Sequence, residues 1–521
     1  MSAQSSAPQG CPMSRRGFLK GLGAGAAATA VALRGGAGVA LAEPYRVFSP
    51  NFGRMFPRLP PFAAPSPALT EALIDFGRPG GFLDAHDDLA AGPVDLIVNP
   101  ALSVNNPNNP NHTAGLTFLG QFMDHDVTFD VGSQLGVPAD PKTSPNGRSP
   151  RLDLDSVYGG GPTGSPGLYD PADNAKLRIE EGGTFEDLPR RDDVSAIIGD
   201  PRNDENLIIA GLHSAFIKFH NRAVDKVRTT TRRNALDFDR ARRLTTWHYQ
   251  WIVVHEVLPA FVGQALVDDI LRRGRRVFRP TPEVFIPVEF QGAAYRFGHS
   301  MVRPSYRANL AGDTEQRAFF GFLFDPTLDP SDDPDDLVGG VRAARRFVGW
   351  QTFFDFGDGE VKPNKRIDTK LSTPLFTLPL SAISSRDLPV VLPQRTLLRH
   401  ITWSLPSGQM IARQMRETPI PAADFAELSG YGLSLDTSTP LFHYVLKEAE
   451  LLQDGLRLGP VGGRIVAEVF LGLLELDPDS YLNARPSWRP TLPTRSGSVT
   501  GDFGMADFLC WAGVDPEARG Q

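Results

Sequence analysis

The sequence predicts a mainly α-helical fold, built as one large domain with long ordered loops and little β structure. Three segments repeat apolar residues at three-to-five-residue steps, the spacing of one helix face: residues 206–227, 238–262 and 461–475. No stretch shows the sustained apolar–polar alternation of a half-buried strand. The intervening loops, notably residues 134–170 and 324–340, are long and rich in Pro, Gly and Asp. Loops of that length often enclose a cofactor or a metal.

Composition and charge restrict the class of protein. The chain has 521 residues, of which 41% are hydrophobic and 22% charged, so it can bury a large core. The formal net charge is −7, and no basic stripe with interleaved aromatic residues occurs. Nucleic acid is therefore not expected as a partner.

The first 42 residues are interpreted as a twin-arginine signal peptide. Arg15 and Arg16 precede a Gly/Ala-rich run, and Ala40-Leu41-Ala42 forms a small-residue cleavage site before Glu43. As a membrane anchor the run would span poorly, because it is rich in Gly and interrupted by Arg34. We therefore expect the twin-arginine export machinery as a partner and a periplasmic or extracellular location.

Cysteine usage agrees with this route. Cleavage would remove Cys11 and leave Cys510 alone, so the mature chain cannot form an internal disulfide. An exported protein without disulfides must be stabilised by its core, by metals or by a cofactor. The twin-arginine pathway carries folded proteins, which suits a cofactor inserted before export.

The remaining chain is divided into three parts. Residues 43–80 are predicted to form an extended arm, residues 81–480 the main domain, and residues 481–521 a tail that packs on it. Within the domain, an Asn/Pro-rich loop from Asn99 to Asn111 is expected to lead into a helix with Thr113 as its N-cap.

The most informative segment for chemistry is Gly120–Asp126. Gln121 and His125 are four residues apart and share a helix face, while Asp124 and Asp126 flank the histidine in an otherwise apolar stretch. Burying such groups is costly unless each has a partner, so a polar ligand is expected beside this helix. The alternative is a surface helix end with a solvated His125.

A second segment opens the predicted helix 206–227. Arg202 and Glu205 lie three apart just before it, either as functional groups or as an ordinary surface ion pair. His213 and His220 lie seven apart on one face of the helix and are interpreted as structural residues.

A third segment is Tyr295–Ser300. Gly298 directly precedes His299, which removes side-chain bulk where a large planar group would approach. Each segment is weak evidence alone, and the combination carries the interpretation.

Together these segments resemble the animal-type haem peroxidase superfamily, which includes myeloperoxidase, lactoperoxidase, peroxinectins and the cyclooxygenases. The resemblance runs from about residue 80 to 475 and suggests a bacterial exported member. Its anchors are Gly120–Asp126, Arg202–Arg222, Trp251–Pro259, Tyr295–His299 and Leu398–Gln409. It implies a mainly helical haem peroxidase domain around one haem b.

The resemblance implies a role for four residues. His125 corresponds to the distal histidine, Gln121 to the distal glutamine, Arg202 to the distal arginine and His299 to the proximal iron ligand. A neutral His125 can take a proton from peroxide and return it to the departing oxygen. The permanent charge of Arg202 stabilises negative charge on that oxygen, and the His299 imidazole binds iron.

The resemblance also implies contacts with the haem rim. Asp124 and Glu205 match the two carboxylates that form ester bonds to haem methyl groups in several mammalian members, so a covalently linked haem is expected to be possible. Arg296 and Arg399 match residues near the haem propionates, a role that their charge suits.

A calcium site follows from the same resemblance. Asp126 and the loop residues Ser149, Arg151, Asp153 and Asp155 match it, with Arg151 contributing its carbonyl. Oxygen ligands at alternating positions suit a hard cation such as Ca²⁺. The alternative is an acidic surface loop.

One position departs from the family pattern. An asparagine usually hydrogen-bonds the proximal histidine, and in an ungapped register that position is Thr396. A threonine hydroxyl can accept the imidazole proton but is shorter. Either the register slips here or the redox poise of the iron differs.

Three functions remain open at this point. The first is a hydrogen-peroxide-dependent peroxidase that oxidises small reductants, phenols or halides. The second is a fatty-acid dioxygenase of the cyclooxygenase type, but Arg296 stands where those enzymes carry a radical tyrosine, with Tyr295 beside it. The third is a secreted peroxinectin-like adhesion or binding protein, which would not need His125, Arg202 and His299 together. The residues specify neither the reductant nor the oligomeric state.

Overall fold

The computed structural model describes residues 47–182, 185–230, 234–311, 318–324, 337–342 and 346–519. The predicted signal peptide and most of the predicted loop 324–340 lie outside these residues.

The prediction of a mainly helical fold is confirmed. The three periodic segments form Leu207–Thr230, Asp237–Ile252 and Pro460–Leu476, and the second continues through a π-helical turn, Val253–Val257, into Leu258–Val262. Further α-helices are Pro67–Phe76, Pro93–Val98, Gly115–Val127, Asp155–Tyr158, Gly161–Gly164, Gln264–Arg273, Val288–Gln291, Gly298–Met301, Leu392–Thr402, Gly408–Met415, Leu441–Gln453, Tyr481–Ala484 and Met505–Ala512. Short 3-10 helices are Leu89–Ala91, Pro100–Leu102, Pro141–Thr143, Pro166–Leu168, Pro201–Asp204, Ala294–Phe297, Trp350–Thr352, Thr373–Phe376, Leu380–Ala382 and Ala422–Tyr431.

The strands of the described residues pair two by two. Val47–Phe48 pairs in parallel with Glu283–Val284. The antiparallel pairs are Asn108–Thr113 with Pro363–Lys365, Tyr169–Asp170 with Asp173–Leu177, Glu180–Gly182 with Phe185–Asp187, and Ser305–Asn309 with Phe319–Phe322.

The prediction of Thr113 as an N-cap is wrong. Thr113 ends a strand, and the next helix begins at Gly115 after Ala114. The Ala114 and Gly115 N–H groups donate to the Lys362 and Phe353 carbonyls at 2.9 Å, so distant backbone replaces a side-chain cap.

The predicted extended arm is also wrong over part of its length, because Pro67–Phe76 is a helix. The Ser66 side chain accepts the Leu69 N–H at 3.1 Å and Pro67 occupies the first turn, both common at a helix start. Leu73 and Phe76 are buried, so this segment belongs to the core.

The core is centred on the Leu207–Thr230 helix, which packs against Gly115–Val127 and Asp237–Ile252. In the C-terminal segment, the Phe508 ring stacks on Phe219 with centroids 4.1 Å apart. Within the described part of the chain, no helix combines the length and apolarity needed to cross a bilayer.

Candidate active site

A cavity of about 250 Å³ lies between the Gly115–Val127 helix and the Gly298–Met301 helix. His125 on the first helix and His299 on the second both line it. Its other polar and charged lining residues include Gln121, Asp124, Asp130, Arg202, Glu205, Asn206, Gln291, Tyr295, Arg296, Asp387, Arg395 and Arg399. The tertiary fold therefore brings the three sequence segments to one cavity.

His125 is a buried residue, 5% exposed, so a solvated surface histidine is ruled out. Its Nδ1 lies 2.8 Å from Asn203 Oδ1, and its Nε2 lies 3.9 Å from Glu205 Oε1. Burial, with the positive charge of Arg202, lowers the pKa of His125 to about 4. The imidazole is therefore neutral near pH 7 and has a lone pair with which to accept a proton.

Arg202 does not form the surface ion pair considered from the sequence. Its Nη2 and Nε lie 2.7 and 3.0 Å from the two carboxylate oxygens of Asp200, which is fully buried. Nη2 also donates to the Thr128 carbonyl at 2.6 Å, and the guanidinium lies 4.4 Å from the Phe129 ring centre. Burial opposes ionisation of Asp200, but the Arg202 charge outweighs it and holds the pKa of Asp200 below its ordinary value.

Gln121 and two nearby carboxyl groups, Glu205 and Asp124, also line the cavity. Gln121 Nε2 donates to Glu205 Oε1, and Asn206 Nδ2 donates to Gln121 Oε1 at 3.3 Å. Burial raises the pKa of Glu205 to about 8. Asp124 accepts the Thr128 hydroxyl at 3.2 Å, and its other oxygen lies 3.9 Å from Arg296 Nη1.

His299, which also lines the cavity, contacts Thr396, the residue that the ungapped comparison with the family placed beside it. Its Nδ1 lies 3.3 Å from Thr396 Oγ1, and that hydroxyl also lies 3.1 Å from the Leu392 carbonyl. The hydroxyl can donate to Leu392 and accept the His299 Nδ1–H, which leaves Nε2 for a metal. A Cβ added at Gly298 would meet no atom within 4 Å, so this lining position faces open space.

The two arginines expected near the propionates line the same cavity. Arg399 Nη1 pairs with Asp130 Oδ2 at 2.6 Å, and Arg296 Nε donates to the Gln291 carbonyl at 2.7 Å. The side-chain oxygen of Gln291 is buried and has no hydrogen-bond partner among the described residues.

The acidic loop folds back onto the Gly115–Val127 helix. Carboxylate oxygens of Asp126, Asp153 and Asp155 all lie within 4.8 Å of one another, with Asp126 fully buried. Ser149 Oγ lies 3.0 Å from Asp153, and Ser149 N–H donates to Asp155 at 2.8 Å. The Arg151 side chain points elsewhere, 3.4 Å from Asp477.

The sequence analysis missed two residues that hold the site together, Asp200 and Asn203. Both lie in the segment that was assigned to Arg202 and Glu205. Asp200 pairs with Arg202 two residues away, so its proximity was visible in the sequence, whereas the contact of Asn203 with His125 joins residues 78 positions apart. His220 behaves as predicted for a structural residue, since its nitrogens contact the Ala175 carbonyl at 2.9 Å and the Tyr158 hydroxyl at 3.0 Å.

Two parts of the chain match known family models. Residues 132–329 match the model described as animal haem peroxidase, which includes Arg202 and His299 but not His125. Residues 12–32 match the twin-arginine translocation pathway signal sequence.

Similar curated proteins are peroxidases, and the match covers only part of the length of each. "Heme peroxidase 2" of Caenorhabditis elegans is 25% identical over 274 residues, which is 50% of this chain and 36% of that protein. Thyroid peroxidase of Rattus norvegicus is 24% identical over 237 residues, 40% of this chain and 25% of that protein. The chain thus spans well under two thirds of these relatives.

Solved structures share the fold. Peroxidase A from Dictyostelium discoideum superposes with a TM-score of 0.56 at 14% identity, covering 89% of this chain and 96% of that one. A fatty acid alpha-dioxygenase from Arabidopsis thaliana gives 0.55 at 14% identity, covering 91% and 77%. The family model, the curated relatives and the fold agree: residues 132–329 match the animal haem peroxidase family, the chain shares its fold with a peroxidase and a dioxygenase, and its signal directs it to twin-arginine export.

Proposed function

We propose that this protein is a haem peroxidase that reduces hydrogen peroxide at His125 and Arg202 and oxidises small reductants such as phenols or halides. The observation that carries the proposal is that His125, Arg202 and His299 line the same cavity. When bound, the haem supplies the electrons that reduce peroxide.

The residues present fit a haem. Open space at Gly298 admits a flat group beside His299, whose Nε2 is free to bind iron while Thr396 holds Nδ1. Arg296 and Arg399 would meet the propionates, and the unpartnered Gln291 oxygen is a further polar contact on the cavity wall.

The chain's own contribution to the chemistry is a proton and a charge. The Nε2 of neutral His125 accepts the proton of the incoming peroxide and returns it to the oxygen that leaves as water. Arg202 stabilises the negative charge on that oxygen, and its ion pair with Asp200 fixes the guanidinium before the substrate arrives. Gln121 adds an amide on the same side of the cavity.

The test of this function uses the purified mature protein. We expect a Soret absorption band and peroxide-dependent oxidation of a phenolic dye, with iodide and bromide assayed in parallel. A protein that retains no haem would overturn the proposal and leave a binding or adhesion role.

A fatty-acid dioxygenase is the second candidate, favoured by one observation. Tyr295 lines the cavity, and its hydroxyl donates to the Gly120 carbonyl at 3.0 Å. Oxygen uptake with palmitate, lost in Tyr295→Phe, would establish this activity; no uptake would remove it.

Asp124 and Glu205 are proposed to form ester bonds to the haem, since both carboxyl groups line the cavity. We expect part of the haem to stay with the protein on extraction with acidified butanone after peroxide treatment. Asp124→Asn and Glu205→Gln should each remove one link, seen as a mass change in the haem peptide. Complete extraction from the unmodified protein would contradict the links.

Calcium is proposed at the acidic cluster of Asp126, Asp153 and Asp155, with Ser149 Oγ and the Arg151 carbonyl as further ligands. Burial and the neighbouring Asp153 and Asp155 charges raise the pKa of Asp126 well above its ordinary value, and a bound cation would favour its ionised form.

Removing calcium with EGTA is therefore expected to lower the Tm. Calcium at 100 times its Kd would contribute about 2.7 kcal/mol to the free energy of unfolding. Burial raises the pKa of Asp155 to about 7, so protons compete and the calcium effect should be smaller at pH 6 than at pH 8. Asp126→Asn should abolish the effect, whereas the surface variant Asp268→Asn should retain it.

Thr396 gives a prediction about the bound iron. Asparagine at this position would accept the His299 Nδ1–H more strongly and make the imidazole a better donor, which favours the ferric state. Thr396→Asn should lower the reduction potential and Thr396→Val should raise it, by about 59 mV for each tenfold change in the ferric preference. Spectroelectrochemical titration measures both, and unchanged potentials in both variants would show that Thr396 is not the partner.

A further inference from the structure

A buried asparagine connects two buried histidines beside the cavity. Asn203 Oδ1 lies 2.8 Å from Nδ1 of His125, and Asn203 Nδ2 lies 3.0 Å from Nδ1 of His213. Asn203 is 0% exposed, His213 1% and His125 5%, so water does not replace any of these contacts. The three side chains form a hydrogen-bonded set in the order His213, Asn203 and His125, and His125 lines the cavity.

Three elements hold these side chains in place. Asn203 belongs to the 3-10 turn Pro201–Asp204, and its N–H donates to the Asp200 carbonyl at 3.0 Å. His213 lies within the Leu207–Thr230 helix, and its ring contacts the edge of Phe122 with centroids 6.3 Å apart. Phe122 lies one turn before His125 on the neighbouring helix. The set therefore has little freedom to rearrange.

The hydrogen-bond chemistry of this arrangement specifies where the protons are. A side-chain amide has NH₂ as a donor and oxygen as an acceptor. Since Asn203 Nδ2 faces His213 Nδ1, that nitrogen must carry a lone pair and the His213 proton lies on Nε2. Asn203 Oδ1 then accepts a hydrogen bond from the His125 Nδ1–H. The remaining nitrogen of His125, Nε2, carries the lone pair.

We infer that Asn203 is a positioning residue that holds His125 in the tautomer able to accept a proton from peroxide, and that His213 fixes the orientation of the Asn203 amide. This inference rests on the proposed function, because it explains which nitrogen of His125 acts as the base. His125 Nε2 lies 3.9 Å from Glu205 Oε1, too far for a hydrogen bond that would fix the opposite tautomer. The tautomer is thus set from the buried side of the ring.

The opposite amide orientation would have the opposite consequence. With Nδ2 toward His125, Nδ1 of that ring would have to accept, its proton would lie on Nε2, and His125 would meet peroxide as a donor. Holding a catalytic imidazole in the wrong tautomer costs about 10⁴-fold in serine proteases. The tautomer of His125 and the rate of the reaction with peroxide therefore both test the role of Asn203.

The direct test reads the tautomers by long-range ¹H–¹⁵N correlation on protein labelled with ¹⁵N-histidine. The diamagnetic ferrous carbon monoxide complex is used if the protein holds haem, and the purified protein itself if it does not. We expect a protonated Nδ1 and unprotonated Nε2 for His125, and the reverse for His213. A proton on Nε2 of His125 overturns the inference. This readout is independent of whether peroxide reacts, so it separates failure of the inference from failure of the proposed function.

A variant series tests the consequence in the haem-loaded enzyme by stopped-flow mixing with peroxide. Asn203→Leu removes the acceptor and should slow the reaction at least about 10-fold, with part of His125 shifted to the other tautomer. Asn203→Asp restores an oxygen toward His125 and should recover most of that rate, although its buried charge lowers the Tm.

Asn221→Leu is the matched control for loss of stability. Asn221 lies on the Leu207–Thr230 helix, as His213 does, and bridges both backbone groups of Leu177 at 2.8 Å, away from the cavity. It should lower the Tm without changing the rate. An unchanged rate and tautomer in Asn203→Leu, or equal rates in Asn203→Leu and Asn203→Asp, would overturn the inference.

Discussion

His125→Leu should reduce the second-order rate constant for hydrogen peroxide by about 10²- to 10⁴-fold, the usual contribution of a positioned acid–base group. Leucine fills a similar volume in a site that is 5% exposed, so the cavity should remain closed while the proton acceptor is lost. Stopped-flow spectroscopy of the haem-loaded variant measures this step alone. Oxidation of the reductant by enzyme already treated with peroxide should change far less.

Arg202→Leu is expected to slow the same step by about 10²- to 10³-fold, because it removes the charge that stabilises the departing oxygen. It also removes one of two cationic partners of the buried Asp200 and leaves Arg148, whose Nε lies 3.3 Å from Asp200 Oδ2. The double variant Arg202→Leu/Asp200→Leu separates these effects, since it should regain stability without regaining rate. His220→Gln is a control for both predictions, because His220 is buried but away from the cavity. If His125→Leu and Arg202→Leu react with peroxide at the unmodified rate, the proposed base and charge are wrong.

His299→Gly should lose haem, or bind it so weakly that the Soret band disappears on gel filtration. The substitution removes the proposed iron ligand and leaves a space of imidazole size beside Gly298, where a Cβ already meets no atom within 4 Å. Free imidazole added to the medium should therefore restore both the absorption band and the reaction with peroxide.

The comparison variant for this prediction is His400→Gln on the Leu392–Thr402 helix. His400 is also buried, and its nitrogens contact the Thr396 carbonyl and the Phe442 N–H, so it has a structural role. It should retain haem at a reduced Tm and show no response to imidazole. Full haem retention by His299→Gly would assign the iron to another residue.

The fold class was predictable because helix periodicity is a local property. The runs at 206–227 and 461–475 have one apolar face each, and the structure gives helices at Leu207–Thr230 and Pro460–Leu476. Two local predictions were wrong because contacts with residues far away in the sequence determine the conformation there. Thr113 pairs with Pro363 in a strand instead of capping a helix. The segment predicted as an arm contains a helix, and this helix is stabilised because Leu73 and Phe76 are buried in the core.

The residue types that the chemistry needs can be read from the chain alone, because His125, Arg202 and His299 stand in motifs whose order resembles that of one family. Their supporting contacts depend on the tertiary structure, because hydrogen bonds and buried ion pairs join residues far apart in the chain. His299 meets Thr396 across 97 positions, and His125 meets Asn203 across 78. Asp200 is close to Arg202 in sequence, but only the folded chain buries the pair, where burial opposes ionisation of Asp200 and the Arg202 charge outweighs it and lowers the pKa of Asp200. Spacing along the chain records neither burial nor the direction of a side chain, and these two properties determine which nitrogen of His125 faces the cavity.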